Sequence, residues 1–123
     1  MFTGSYVALV TPMFDDGQID YPALRELVEF HIQQGTHGIV SVGTTGESAT
    51  LPFDEHIEVV RQTVEAAAGR TKIIAGSGAN STSEAIFLSE QMAGLGIEGF
   101  LSVVPYYNKP SQDGLLAHYG ALA

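Results

Sequence analysis

Residues 38–48, GIVSVGTTGES, join a short apolar run to a turn rich in glycine and threonine. Three further runs of the same apolar, β-branched character occur along the chain. The four runs are Ser5–Val10, Gly38–Val42, Lys72–Ala75 and Gly99–Val104. Each is nearly continuous in apolar residues, which is typical of strands covered on both faces. The sequence therefore predicts four buried strands.

A helical pattern follows each of the four runs. Asp20, just before a proline, marks the start of the first helix, and Gly35 marks its end. The apolar positions of the second helix are Ile57, Val60, Val64 and Ala67, ahead of Gly69. Residues 81–84, STSE, have the form of a capping box for the third helix, and Ser111 is the predicted cap of the fourth. The apolar stripe of the third helix comprises Ala85, Leu88, Met92 and Leu95.

Strand–helix alternation repeated four times predicts parallel strands joined by right-handed crossovers. Such units could form a doubly wound sheet or half of a (β/α)8 barrel, which typically has about 250 residues. The chain has 123 residues and stops just after a fourth helix begins. A half barrel also leaves two open strand edges. Residues 1–123 are therefore expected to be one part of a longer protein.

Charge and composition exclude several classes of function. The chain carries 14 acidic and 5 basic residues, a formal net charge of −9, so it lacks the basic face needed to bind nucleic acid or an anionic membrane. Because it has no cysteine, disulfides, cysteine-ligated zinc and thiol catalysis are excluded. No apolar run reaches the ~20 residues of a membrane span. With no basic segment at the N-terminus, no signal peptide is expected, and the predicted location is the cytoplasm.

The histidines do not predict a metal site. His31, His37, His56 and His118 show no metal-ligand spacing, so no bound metal is expected. His31 lies on the apolar face of its predicted helix, which favours a packed histidine. His56, early in the second helix, is interpreted as either a solvent-facing residue or a site residue.

Four loops follow the predicted strands and share one edge of the sheet, where parallel α/β proteins bind ligands. They are Thr11–Asp15, Gly43–Thr50, Gly76–Asn80 and Pro105–Pro110. In the second loop, Gly43 and Gly46 permit a tight turn, while Thr44 and Thr45 add hydroxyls to exposed N–H groups. This turn could hold a small carboxylate or phosphate. It could equally be a strand-end turn whose hydroxyls satisfy the local backbone.

The fourth loop, PYYNKP at residues 105–110, is aromatic and bounded by prolines. A tyrosine hydroxyl here could relay a proton, although an ordinary tyrosine titrates near pH ~10 and needs help from neighbours. The alternative is rim packing or an interface contact. Asn80 and Glu84 have structural alternatives of the same kind, as a turn residue and a helix cap. Lys72 and Lys109 do not lie at a buried strand end, where a Schiff-base lysine is expected.

Four motifs together resemble the dihydrodipicolinate synthase family, from Met1 to Ala123. They are GS at 4–5 with VTP at 10–12, SVGTTGESATL at 41–51, AGSGAN at 75–80 and PYYNKPS at 105–111. Their order and spacing are more specific than any one of them. Related aldolases include N-acetylneuraminate lyase, but the paired threonines and the Tyr106-Tyr107-Asn108 sequence favour the synthase.

The resemblance implies a (β/α)8 barrel of which this chain is the N-terminal half, and a class I aldolase reaction without a cofactor. In the family, a lysine on the sixth strand forms a Schiff base with pyruvate. The enamine then attacks aspartate semialdehyde, in the first committed step towards diaminopimelate and lysine. Thr45 is the implied pyruvate-binding residue. Thr44 and Tyr107 are the implied proton relay, with Tyr107 reaching in from a neighbouring subunit of a homodimer or homotetramer.

The resemblance also implies a site for L-lysine as a feedback inhibitor at a subunit interface. The matching positions are Ser48, Ala49, His56, Asn80, Glu84 and Tyr106. Glu84 is expected to pair with the inhibitor's ammonium group. Phe53 departs from the pattern, because some lysine-sensitive members have histidine there.

The family's Schiff-base lysine, second relay tyrosine and substrate-binding arginine all lie beyond the position of Ala123. The 123-residue chain alone is therefore expected to be inactive. Two alternatives are a related pyruvate-dependent aldolase of the N-acetylneuraminate lyase type and a non-catalytic half barrel that associates with itself.

Overall fold

The computed structural model describes residues 2–123 and contains four strands that alternate with helices. The strands are β1 (Tyr6–Ala8), β2 (Gly38–Ser41), β3 (Lys72–Gly76) and β4 (Gly99–Leu101). The α-helices are α1 (Tyr21–Gln33), α2 (Phe53–Ala67), α3 (Thr82–Met92) and α4 (Gln112–Leu122), and a single 3₁₀ turn covers Thr44–Gly46. The predicted order of elements is confirmed.

The sheet is parallel throughout and has the order β1-β2-β3-β4. Consecutive helices pack against each other, α1 on α2, α2 on α3 and α3 on α4. A doubly wound sheet reverses its strand order at a switch point, where its ligands bind. No reversal occurs in the described part of the chain, so the topology favours a run of barrel units.

The two outer strands are shorter and less covered than predicted. β1 and β4 have three residues each, although the apolar runs there have six. Leu9 and Val10 extend the first run, but Leu9 is buried just past the strand, where its N–H still donates to the Val40 carbonyl at 3.1 Å. Phe100 and Leu101 are 41% and 54% exposed, because β4 pairs on one side only. The prediction of coverage on both faces is therefore wrong for the outer strands.

The core lies between the sheet and the helices. Its most deeply buried members include Leu24, Val28, Ile39, Val59, Val60, Ile73, Leu88 and Met92. On α2 the predicted stripe is only partly right, because Ile57 and Val64 are half-buried while Thr63 is fully buried. Burial of Thr63 is tolerated because its hydroxyl lies 2.8 Å from the Val59 carbonyl oxygen and 3.1 Å from the Ser41 hydroxyl.

The predicted helix ends are confirmed at most positions. The Asp20 carboxylate accepts from the Ala23 N–H at 2.9 Å, and the Ser111 hydroxyl accepts from the Gly114 N–H at 3.1 Å. Gly35 and Gly69 both have φ +73°, the left-handed backbone conformation in which many α-helices end. The prediction of a capping box for α3 is wrong. The Ser81 hydroxyl bonds the Ser83 hydroxyl at 2.9 Å and makes no capping bond to the backbone.

We expect Gly76→Ala to destabilise the protein by about 3 kcal/mol, the upper end of the usual cost of overpacking. A Cβ at this position lies 1.9 Å from the Val42 carbonyl oxygen, and backbone cannot rotate away as a side chain can. Gly120→Ala is the matched control, because a Cβ there meets nothing within 4 Å inside α4. Alanine is the better helix former, so the control should gain about 1 kcal/mol. Urea unfolding measures both, and equal effects would contradict the close approach at Gly76.

Candidate active site at the carboxyl ends of the strands

The threonine turn, residues 43–47, begins where β2 stops. Val42 has φ +51°, which takes the chain out of the extended conformation, and Glu47 with φ +62° ends the 3₁₀ turn. The Thr11 hydroxyl donates to the Gly46 carbonyl at 2.8 Å in a buried position. The end of β1 therefore fixes the turn that follows β2.

Thr44 and Thr45 occupy the first two positions of this 3₁₀ turn, and both are exposed. A helical turn leaves its first N–H groups without a partner inside the turn. Two N–H groups and two hydroxyls are thus presented together, which suits a small carboxylate. Thr44 also lines the neighbouring cavity, whereas Thr45 does not.

A cavity of about 230 Å³ lies at the carboxyl ends of β2, β3 and β4. It is lined by Val42, Gly43, Thr44, Ser48, Gly76, Gly78, Leu101, Ser102 and Val103. Its walls carry no ionisable side chain, and hydroxyls supply the side-chain polarity. At Gly78 an added Cβ would lie 2.2 Å from the Val103 backbone nitrogen, so glycine is required there as well as at Gly76. The small, neutral cavity suits a ligand of few atoms.

The tyrosine loop, residues 105–110, is attached to the segment before α3 by two hydrogen bonds. The Tyr106 N–H donates to the Asn80 side-chain oxygen at 3.1 Å, and the Asn108 amide donates to the Asn80 carbonyl at 3.2 Å. Tyr107 lies between these two residues, with φ +68° and a side chain that is 95% exposed. A non-glycine residue in this conformation costs of order 1–3 kcal/mol and is found most often at functional sites.

The predicted relay residues do not meet within one chain. Thr44 faces the cavity, while Tyr107 projects into solvent and lines neither that cavity nor the depression beside it. That depression is lined by Thr44, Glu47, Ser48, Ala49, Thr50, Val103 and Tyr106. It thus brings together three of the six predicted lysine-binding residues. Glu84 lies apart from it, exposed on the first turn of α3.

His56 is buried, so the solvent-facing alternative is wrong. The side chain is 1% exposed, and its Nε2 lies 2.7 Å from the Gly76 carbonyl oxygen. Because a carbonyl can only accept, this nitrogen carries the proton and donates. Burial lowers the pKa of His56 below its ordinary value of 6.5, against an opposing contribution from the Gly76 carbonyl. His56 is therefore a neutral donor that holds the end of β3.

Acidification should destabilise the fold through His56. Because the folded-state pKa is lowered, the unfolded state binds the proton first as the pH falls below about 6.5. The contribution of His56 to the free energy of unfolding is fully present above that pH. It is lost below that pH, by at most about 1.4 kcal/mol per pH unit for one proton. Urea unfolding of wild type and His56→Gln, which retains an N–H donor but does not titrate, measures this slope. Identical slopes between pH 5 and 7 would refute the assignment.

Two contacts were not predicted from the sequence. His118 is buried on α4, and its Nδ1 bonds the Thr82 hydroxyl at 2.9 Å, which ties α4 to the start of α3. Its spacing of three from Leu115 on an apolar helix could have indicated an inward position. Phe53 and Phe87 pack with ring centroids 5.8 Å apart, and no periodicity predicts that pair.

Within residues 2–123, no group of three or more histidine, aspartate or glutamate side chains is arranged to hold a metal ion. In the same part of the chain, no helix combines the length and apolar character needed to cross a bilayer.

Comparison with known proteins assigns this chain to one family. The sequence model that describes the dihydrodipicolinate synthetase family matches residues 1–123. A 4-hydroxy-tetrahydrodipicolinate synthase of Pseudoalteromonas atlantica is 72% identical over 123 residues, which are 100% of this chain and 42% of the relative. The chain thus spans about two fifths of that relative's length.

Two crystal structures are also similar. A chloride-inhibited dihydrodipicolinate synthase from Acinetobacter baumannii, complexed with pyruvate, is 54% identical with a TM-score of 0.94, over 97% of this chain and 41% of that one. A synthase from Cyanidioschyzon merolae with lysine bound is 45% identical with a TM-score of 0.92, again over 97% and 41%. The fold is therefore that of the first half of these (β/α)8 barrels, and the half-barrel prediction is confirmed.

Proposed function

The chain belongs to the dihydrodipicolinate synthetase family, and from this membership we propose that it forms the pyruvate-binding half of a 4-hydroxy-tetrahydrodipicolinate synthase. The reaction is a Schiff-base condensation of pyruvate with L-aspartate 4-semialdehyde, at the first committed step towards diaminopimelate and lysine. The observation that carries the proposal is the threonine turn beside a small neutral cavity at the carboxyl ends of the strands.

Pyruvate is the substrate that this half accommodates. Thr45 binds the carboxylate through its N–H and hydroxyl, because these donors lie at the unsatisfied start of the 3₁₀ turn. The keto carbon then points into the cavity beside Thr44. The pyruvate complex of the Acinetobacter baumannii enzyme, 54% identical to this chain, supports this choice of substrate.

Thr44 and Tyr107 form a proton relay across a subunit boundary. Tyr107 is 95% exposed and lines neither depression beside Thr44 of its own chain, so a partner of the same kind is the natural place for its hydroxyl. A chain of hydroxyls passes a proton in short steps, which one tyrosine with a pKa near ~10 does poorly alone. The protein accordingly works as a homodimer, or as a homotetramer of two such dimers, in the cytoplasm.

The nucleophile comes from outside these 123 residues. Lys72 begins β3, at the end of the strand opposite the cavity, and is exposed. Lys109 is exposed in the tyrosine loop. Neither has the buried setting that lowers a lysine pKa for Schiff-base formation. The chain alone is therefore inactive and needs the second half of a barrel.

L-Lysine is the proposed feedback inhibitor, held at the depression that Ser48, Ala49 and Tyr106 line. Asn80 joins this group through its bond to Tyr106, and His56 fixes the nearby end of β3. The lysine-bound Cyanidioschyzon merolae synthase, 45% identical, supports the ligand. Phe53 packs on Phe87 with ring centroids 5.8 Å apart, so an apolar side chain stands where some lysine-sensitive family members have histidine.

The synthase proposal can be tested with a chimaera. Residues 1–123 replace the matching 42% of the Pseudoalteromonas atlantica synthase, which supplies the remaining barrel at 72% identity in the exchanged part. We expect condensation of pyruvate with aspartate semialdehyde. In the same protein, Tyr107→Phe should lower kcat by about 10²-fold, and Thr45→Val should raise the KM for pyruvate by about tenfold. Steady-state kinetics measure both, with Tyr119→Phe on α4 as the control tyrosine.

Two results would contradict the synthase assignment. Cleavage of N-acetylneuraminate without condensation would support a lyase of the same family. A folded chimaera with neither activity, beside an active parent synthase, would support a non-catalytic half barrel.

Glu84→Ala in the active chimaera should abolish inhibition by L-lysine while kcat changes little. Glu84 is exposed, so its carboxylate is free to pair with the inhibitor's ammonium group, and its removal leaves the fold intact. Initial rates across a lysine titration give the inhibition constant. Glu90→Ala, a second exposed acid on α3, is the matched control. Unchanged inhibition in Glu84→Ala would refute the role of Glu84.

A further inference from the structure

We propose that Asn80 is a positioning residue that holds the backbone on both sides of Tyr107 and thereby sets where the Tyr107 hydroxyl points. The proposal rests on the relay role assigned to Tyr107 in the proposed function. It concerns the two hydrogen bonds that connect Asn80 with residues 26 and 28 positions further along the chain.

Tyr107 is the central residue of a tight three-residue turn. The Asn108 N–H donates to the Tyr106 carbonyl at 2.8 Å, and Tyr107 has φ +68°. A three-residue turn whose central residue has a positive φ is the rare and strained form of the γ-turn. Lys109 also has a positive φ, at +49°. Such a loop does not keep its shape through its own preferences, and it needs contacts from outside.

Asn80 supplies those contacts on both flanks of the turn. Its side-chain oxygen receives the Tyr106 N–H, and its carbonyl oxygen receives the Asn108 side-chain amide. The two bonds enclose Tyr107 and leave its side chain 95% exposed. Rotation of the Tyr107 backbone would break at least one of them. The position of the tyrosine hydroxyl is therefore set by the position of Asn80.

Asn80 is itself well fixed. Two residues earlier, Gly78 lies so close to the segment after β4 that an added Cβ would be 2.2 Å from the Val103 nitrogen, and the Ser77 N–H donates to the Leu101 carbonyl of β4 at 3.2 Å. Two residues later, the Thr82 hydroxyl bonds the buried His118 of α4 at 2.9 Å. The segment that carries Asn80 is thus held from both β4 and α4, the two elements that the tyrosine loop connects. A fixed residue in this place can orient a neighbouring loop.

The test uses the active chimaera with Asn80→Ala and Asn80→Asp. Asn80→Ala removes the acceptor for the Tyr106 N–H, so hydrogen exchange of that amide should become about five to ten times faster. We expect kcat to fall by about tenfold or more with little change in the KM for pyruvate, because Thr45 is untouched. Asn80→Asp retains the acceptor oxygen and should recover most of the exchange protection and most of kcat.

Two controls separate positioning from a general structural role. Ser89→Ala removes a side-chain hydrogen bond to the Ala85 carbonyl within α3 and should leave exchange at Tyr106 unchanged. In the Tyr107→Phe background, Asn80→Ala should lower kcat no further, because a residue that acts through the Tyr107 hydroxyl has nothing left to orient.

The proposal is overturned if Asn80→Ala leaves exchange at Tyr106 and kcat unchanged. It is also overturned if Asn80→Ala lowers kcat equally with and without the Tyr107 hydroxyl, or if Ser89→Ala reproduces the losses. Should the unmodified chimaera prove folded but inactive, the synthase proposal fails. Amide exchange then decides alone whether Asn80 holds the loop.

Discussion

At the carboxyl end of β3, the Gly76 backbone lies so close to the turn after β2 that an added Cβ would be 1.9 Å from the Val42 carbonyl oxygen. This contact requires glycine at position 76, and it brings the threonine turn over the end of β3. His56 holds the same strand end through the Gly76 carbonyl, and Thr11 holds the turn from the side of β1. Three strands are thus connected where the cavity lies, and no ionisable side chain takes part other than a neutral histidine.

Local signals in the sequence were sufficient for the order of elements and for most helix ends. Asp20, Ser111, Gly35 and Gly69 act through their own or adjacent backbone, so their roles follow from residue type. The ends of β1 and β4 could not be predicted in this way, because loop residues such as Leu9 are as apolar as strand residues once they pack. The capping box failed for a related reason, since the Ser81 hydroxyl has a competing partner in Ser83.

For the candidate site, the sequence predicted which loops share one edge of the sheet but not which residues meet there. Parallel strands guarantee that the four loops share an edge, and the threonine turn is found there. The burial of His56 depends on a carbonyl 20 residues away, and the distance of Tyr107 from the cavity depends on a turn that residue type does not favour. Both are tertiary outcomes. If Thr44 and Tyr107 form the relay that we propose, their separation within one chain requires a second subunit.

The strained backbone conformation of the tyrosine loop falls on Tyr107, which residue type does not favour. Asparagine tolerates a positive φ better than tyrosine, and Asn108 is adjacent, yet Tyr107 takes the left-handed conformation. That strain is of order 1–3 kcal/mol. Two hydrogen bonds to Asn80, at about 0.5–1.5 kcal/mol each, are of the same size and can offset it. Because two bonds cover that range of strain better than one, we expect the exposed tyrosine to depend on both flanks of its turn, and the Asn80 side chain supplies one of them.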